Sequence, residues 1–247
     1  MDRQPLTRKP LVFRHLTPFS SRVRAGFAGG ARAYDRHTAL QRAIAWRLAH
    51  HCRSLPLPPG PAADLGAGSG LVGQALARQH HAGCGLIQLD HCPQLLARNP
   101  FATPRTTRLW DLEHGLPAEL SGAALLTSSF ALQWLSQPAR QLEHWCGRLA
   151  PGGWLALAVP TAASFPQWHR AAARAGVPFT GLELPRAADL EAVARRELEV
   201  RRLQRLRFSR HYGGGRHFLR QLRALGAGTS PHPPLRATEL RRLLQHW

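Results

Sequence analysis

The chain is almost without lysine: Lys9 is the only one among 33 basic residues, and the rest are arginines. Acids are scarce as well, 14 Asp and Glu against those 33 bases, which leaves a formal net charge of +19. Cysteine is rare, and Cys52, Cys84, Cys92 and Cys146 form no CxxC pair and no zinc spacing. That excludes a disulfide framework and a structural zinc by the usual patterns, so no metal site is expected. The four read as scattered, reduced thiols of a cytoplasmic protein. No run of ~18 apolar residues is present, so no membrane-spanning helix is expected. The first residues, MDRQPLTRKPLVFRH, lack the apolar stretch of a secretion signal.

What remains is a globular composition. The 247 residues are 44% hydrophobic with 7 Trp and 9 Phe, enough to bury a sizeable core in one α/β domain. The positive charge favours polyanionic partners in general, whether nucleic acid, anionic lipid or an acidic protein. Arg, Ala, Leu, Gly and Pro together are also what a GC-rich genome supplies by codon bias. The charge therefore permits several partners and selects none.

Residues 1–32 are rich in Arg, Gly and Pro with isolated Phe13, Phe19 and Phe27, and read as a basic, partly ordered N-terminal arm. A single domain is expected over 33–247. From Ala33 a helix pattern begins, with His37, Leu40, Ile44 and Leu48 three or four apart, and it ends before Pro56-Leu57-Pro58-Pro59-Gly60. Short apolar strands are predicted at Ala62–Leu65, Gly85–Leu89, Thr107–Trp110, Ala123–Thr127 and Trp154–Val159. Helices are predicted between and after them, at Val72–Gln79, Pro93–Ala97, Pro138–Leu149, Ser164–Ala175, Ala187–Arg195, His217–Leu225 and Thr238–Gln245. Glu197–Phe208 alternates and is assigned the antiparallel edge strands. The alternation implies a doubly wound α/β fold: a mostly parallel, seven-stranded sheet with helices on both faces.

One loop carries the chemistry. In Asp64-Leu-Gly-Ala-Gly-Ser-Gly70 the glycines Gly66, Gly68 and Gly70, with Ala67 between them, follow a strand and open a helix. Glycine there lets the backbone turn tightly and approach a ligand where a Cβ would collide. A dinucleotide loop reads GxGxxG and presents a helix N-terminus to pyrophosphate. Here the spacing is GxGxG after Asp64, a carboxylate that would repel pyrophosphate but suits an ammonium and a sulfonium. Asp90 ends the next strand, where an acid accepts ribose hydroxyls. Asp111, with Leu112 beside it, ends the third strand, where an acid accepts an adenine amino group. Three acids on three successive strand ends fit S-adenosylmethionine, the methyl donor of the Rossmann-like class I methyltransferases. Each acid alone has a bland reading as a helix cap or turn residue. The joint spacing is what singles out the cofactor.

With those residues placed, the chain resembles the malonyl-acyl-carrier-protein O-methyltransferases of biotin synthesis. The likeness lies in FxxxAxxYDRHTALQ (Phe27–Gln41), the glycine loop, SSFALQW (Ser128–Trp134), LAPGGWLAL (Leu149–Leu157), SFPQWHRA (Ser164–Ala171) and LRQLRALGAGT (Leu219–Thr229). It departs from that family in SGAALLT before Ser128, in its long arm and in Gly213–Gly215. The resemblance implies methyl transfer from S-adenosylmethionine to the free carboxylate of a malonyl thioester, on acyl carrier protein or coenzyme A. It also implies that Ser128 joins the cofactor site, and that Tyr34, Gln133, Trp134, His169 and Arg223 position the acceptor. A carboxylate with a pKa near ~4 is already ionised at neutral pH, so no general base is needed. No Ser-His-Asp or Cys-His arrangement demands a role.

Acyl carrier proteins are acidic, and Arg216, Arg220 and Arg223 recur at helical spacing as one basic stripe. A nucleic-acid methyltransferase is disfavoured, because SSFA stands where [DN]PP[YF] would follow the fourth strand and no RNA-binding module is visible. A methyltransferase of another small acid or a quinone shares every cofactor residue, and only the narrower motifs oppose it.

Overall fold

The computed structural model describes residues 18–80 and 85–247; Cys84 and the first 17 residues lie outside them. Its centre is a parallel sheet of β1 (Ala62–Leu65), β2 (Ile87–Asp90), β3 (Thr107–Leu109), β4 (Ala123–Ser129) and β5 (Leu149–Ala158) in the order β3-β2-β1-β4-β5. The chain runs outward from β1 to β3, then returns to lay β4 on the other side of β1. That reversal opens a crevice between the carboxyl ends of β1 and β4, the place where open α/β sheets bind ligands.

Strand side chains alternate between the two faces, and the core follows. Leu125 of β4 packs with Ala45 and Ala49 of α3 (Ala39–Cys52) and Val72, Ala75 and Leu76 of α4 (Leu71–His80). The next residue, Leu126, joins the opposite cluster. There it meets Leu142 and Trp145 of α6 (Pro138–Cys146) and Leu190 and Val193 of α8 (Ala187–Glu197). Pro138 starts α6, where its missing N–H costs no helical bond. A third cluster joins Ala171, Ala172 and Ala175 of α7 (Pro166–Ala175) to Leu243 of α10 (Ala237–Gln245).

Among the described residues the sheet has five strands, not the seven expected. Glu197–Phe208 was assigned the missing edge strands, yet from 198 to 212 the chain carries no strand pairing. The physical reason lies in its composition. Arg201, Arg202, Arg205, Arg207 and Arg210 interrupt Leu203, Leu206 and Phe208, so neither side presents a continuous apolar stripe to bury. Arg205 instead pairs with Glu191 on α8 at 2.7 Å, and Gln204 accepts from Arg47 on α3 at 2.9 Å. β5 is consequently the sheet's margin. It also begins earlier than its apolar run: Leu149 pairs with Ala123 and Trp154 with Leu125, so Pro151-Gly152-Gly153 forms a bulge within the strand.

Of the segment before the domain's first predicted helix, the described residues begin at Pro18 with a helix. Helix α1 (Pro18–Gly30) packs against α5 (Pro93–Leu96) and α9 (Gly215–Ala224), and a short α2 (Tyr34–His37) leads through Thr38 into α3. Among the described residues no helix is long and apolar enough to cross a membrane.

Two truncations test this core. Leu126→Ala is expected to lower unfolding free energy by about 2–5 kcal/mol in urea denaturation. Leu203→Ala, in the exposed extended segment, is expected to change it by less than about 0.5 kcal/mol. A large loss at Leu203 would mean that the segment is paired after all.

Candidate active site

The glycine loop turns directly out of β1. Gly66 and Gly70 have φ of 75° and 81°, and a Cβ on Gly70 would strike the side chain of Asn99. Two hydroxyls on β4 fasten the crevice: Ser128 Oγ donates to the Leu65 carbonyl at 2.8 Å and Thr127 Oγ1 to Asp64 Oδ1 at 3.0 Å. Ser128 thus reaches the site by bracing its floor. Leu112 is buried in the core cluster against the α6 face of the sheet.

Asp64 is 1% exposed, and its second oxygen, Oδ2, is buried without a hydrogen-bond partner. Burial pushes its carboxyl up to about 7, and the nearby Asp90 charge adds to this while the Thr127 bond opposes it. Asp90 is raised too, first by burial, against the pull of His91 and backbone N–H groups. Its Oδ2 accepts from Gly68 N at 2.8 Å and its Oδ1 from Cys92 N at 2.7 Å, so each oxygen keeps further lone-pair capacity. Asp111 Oδ1 accepts from Glu113 N at 3.1 Å, capping a short 3₁₀ turn, and its Oδ2 accepts from Ser20 Oγ of α1 at 2.7 Å.

A small cavity beside the loop is walled by Tyr34, Gln41, Asp64, Ala67, Gly68 and Ser129 among others. Besides Asp64 Oδ2, the Gln41 Oε1 and Ser129 Oγ atoms are buried there without hydrogen-bond partners. Unpaired buried oxygens are costly unless a ligand completes them. Three such oxygens, one a carboxylate, fit the ammonium end of S-adenosylmethionine. Gln41 and Ser129 were not among the residues picked out for the cofactor. Gln41 falls two helical turns after Tyr34 in YDRHTALQ, which is the one signal that could have found it.

The expected acceptor residues divide. Tyr34, Gln133, Trp134 and Arg223 all line one broad cleft, with Phe27 and Phe130, whereas His169 is not among its lining residues. Gln133 Nε2 donates to the Phe130 carbonyl at 2.7 Å and leaves Oε1 buried and unpaired. Phe130 adopts φ 58° at the exit of β4, an uncommon conformation for a bulky residue. Trp134 meets Phe27 edge to face at 5.4 Å, and Phe27 in turn meets Tyr34. Burial raises the Tyr34 phenol well above its usual range, and Asp90 pushes it the same way, so it stays protonated and can donate. His169 lies on the exposed side of α7, stacked on Phe179 at 3.8 Å. Trp110 donates its indole N–H to the Gly115 carbonyl at 2.8 Å. Among the described residues no cluster of three His, Cys, Asp or Glu could hold a metal ion.

The crevice at the β1–β4 reversal, the glycine turn and the three strand-end acids have the layout expected of an S-adenosylmethionine site on a Rossmann-like sheet. Residues 63–157 match the family described as a methyltransferase domain. The chain is 33% identical over 244 residues to a biotin biosynthesis bifunctional protein BioCD of Bordetella avium, covering 94% of this chain and 50% of that one. It thus spans about half the length of that relative. It is 29% identical over 226 residues to a malonyl-[acyl-carrier protein] O-methyltransferase of Magnetococcus marinus, covering 88% of this chain and 82% of that one. Among solved structures, a Haemonchus contortus phosphoethanolamine N-methyltransferase 2 holding S-adenosylhomocysteine matches with a TM-score of 0.48 at 14% identity. That match covers 75% of this chain and 45% of the other.

The raised Asp64 carboxyl links cofactor binding, stability and pH. The folded state holds this proton more tightly than the unfolded chain, so the group favours the fold below about pH 4. It opposes the fold increasingly up to about pH 7. Asp64→Asn is therefore expected to raise the melting temperature at pH 8 and leave it unchanged at pH 4, while weakening cofactor binding. In the wild type, a cationic ligand needs the ionised carboxylate, so calorimetry should find affinity falling as pH drops below about 7.

Proposed function

We propose that the chain transfers the methyl group of S-adenosylmethionine to the free carboxylate of a malonyl thioester, carried by acyl carrier protein or coenzyme A. The observation that carries this reading is that Tyr34 walls the small cavity beside Asp64 and also meets Phe27, which in turn meets Trp134, next to Gln133 at the exit of β4. Support also comes from relatives named for this reaction, of which the Magnetococcus marinus enzyme is matched over most of its length.

The cofactor supplies an electrophilic methyl on a positively charged sulfur. The acceptor carboxylate arrives ionised, so the protein is not asked to remove a proton. What the residues do is align and exclude. Phe27, Tyr34 and Trp134 form an aromatic wall that keeps water from the meeting of opposite charges. Gln133, held at its amide nitrogen, offers a fixed carbonyl oxygen to a donor such as an amide N–H, and Arg223, exposed on the cleft, is the cation assigned to a carboxylate or a phosphate. Orientation of that kind can account for ~7–11 kcal/mol of a barrier. The resulting methyl ester masks the charged chain end, as the priming of pimeloyl synthesis requires.

Arg216, Arg220 and Arg223 are all exposed along α9, and this stripe adjoins the cleft through Arg223. It is the surface assigned to the acidic carrier protein. Purified protein with labelled S-adenosylmethionine should place label on malonyl-acyl carrier protein or malonyl-coenzyme A, and not on free malonate or RNA. Label on RNA alone would end the reading. The double variant Arg216→Glu/Arg220→Glu is expected to lower kcat/KM for the carrier-bound substrate about tenfold at low salt and to flatten its salt dependence, with cofactor affinity unchanged.

A further inference from the structure

Asp35 is used by neither the cofactor cradle nor the acceptor wall, yet its carboxylate joins two parts of the chain remote from it. Ser69, at the tip of the glycine loop, donates to Oδ1 at 2.7 Å. Arg98, just beyond α5, brings Nε to 3.1 Å and Nη2 to 2.7 Å of Oδ2. The backbone carbonyl of the same residue accepts from Arg42 at 2.7 Å and from the buried Thr38 hydroxyl at 3.1 Å. Every hydrogen-bonding oxygen of Asp35 is thus engaged: Ser69 and Arg98 hold α2 to the loop and to the chain beyond α5, while Thr38 and Arg42 tie it to the start of α3.

What α2 carries explains why that matters. Tyr34 precedes Asp35, walls the small cavity beside Asp64, and packs with Phe27, Ala31, Cys92 and Leu95. Ser20 ties the other end of the same segment to Asp111. Residues 18–37 therefore form a strap across the cofactor side of the crevice. Beneath it the cavity measures about 30 Å³, close to the room one water needs, whereas small-molecule sites run to ~300 Å³ or more. A ligand group larger than a water can reach Asp64 there only if Tyr34, and with it the strap, gives way. The bonds that fix it are well chosen for repeated opening: the Asp35 and Arg98 side chains are 27% and 38% exposed, and exposed ion pairs are individually weak.

We propose that Asp35 is the latch of this strap, a positioning residue whose bonds to Ser69 and Arg98 hold α1 and α2 closed over the cofactor and set the rate of its exchange. The proposal rests on the cofactor assignment, and adds a conformational step at which the spent S-adenosylhomocysteine is released. Partial burial works against ionisation of Asp35, but the Arg98 and Ser69 bonds outweigh it and keep the carboxyl below its usual range, so the latch is charged at neutral pH.

The test compares wild type, Asp35→Ala and the swap Asp35→Arg/Arg98→Asp. Two readouts are taken: the dissociation rate of S-adenosylhomocysteine by stopped flow, and amide hydrogen exchange across residues 19–37. Asp35→Ala is expected to speed dissociation about tenfold and to accelerate exchange in the strap, with β1 and β4 amides unchanged. The swap is expected to recover most of both effects. A folded Asp35→Ala protein with wild-type dissociation and strap exchange would overturn the proposal. Should that variant not fold, Arg98→Gln, which keeps the Ser69 bond, must show the same changes at about threefold, and no change there overturns it equally. Wild-type protein that binds no S-adenosylhomocysteine would overturn the cofactor assignment instead, and strap exchange would still decide whether Asp35 holds the segment.

Discussion

The molecule is organised around a carboxylate held where it is least comfortable. Asp64 sits inside the sheet at the junction of β1 and β4, with one oxygen on Thr127 and the other unpaired. A buried ionised acid without a full set of partners is costly, and the surrounding structure is arranged to tolerate it. The Ser128–Leu65 and Thr127–Asp64 bonds keep the two strand ends together at the point where the chain reverses direction. The glycine turn keeps side chains out of the space beside that oxygen, where a positively charged ligand would offset the burial. The proposed cofactor would relieve a cost that the fold carries at Asp64.

From that junction the remaining parts follow by distance along the sheet. Asp90 at the end of β2 and Asp111 just beyond β3 lie further out along the sheet, where the ribose and the adenine amino group are expected. In the other direction β4 delivers Phe130, Gln133 and Trp134 to the acceptor side. The aromatic contact between Trp134 and Phe27 links this acceptor wall to the N-terminal segment. The two proposed roles, closing over the cofactor and completing the acceptor wall, thus draw on the same segment.

The parts legible in the sequence were those whose meaning is local. The Asp64–Gly70 loop, the short apolar strands and the acids at their ends are all set within a few residues of one another, and strand–helix alternation supplied the order. The contacts that escaped notice span long separations. Asp35 meets Ser69 and Arg98 across 34 and 63 residues, and Ser20 meets Asp111 across 91. Nothing in the composition near Asp35 distinguishes it from a solvated helix residue. The expected edge strands failed for a different reason. Alternation in Glu197–Phe208 was real, but it alternated arginine with leucine, and pattern without a buried face does not make a strand.

That failure leaves β5 as a sheet margin, with consequences for how copies of the protein behave together. A margin strand presents backbone donors and acceptors in register, a template on which another chain can lay a strand. Proteins commonly blunt such edges with a bulge, with proline or with charge, and β5 has Pro151 and a bulge at its start and an arginine-rich stretch of chain elsewhere among the residues of its cleft. The net charge of +19 adds a long-range repulsion between copies that salt screens over ~10 Å at 0.1 M. Colloidal stability and the arginine excess are in this sense one property: concentrated salt screens the repulsion and leaves the bulge and proline as what guards the edge.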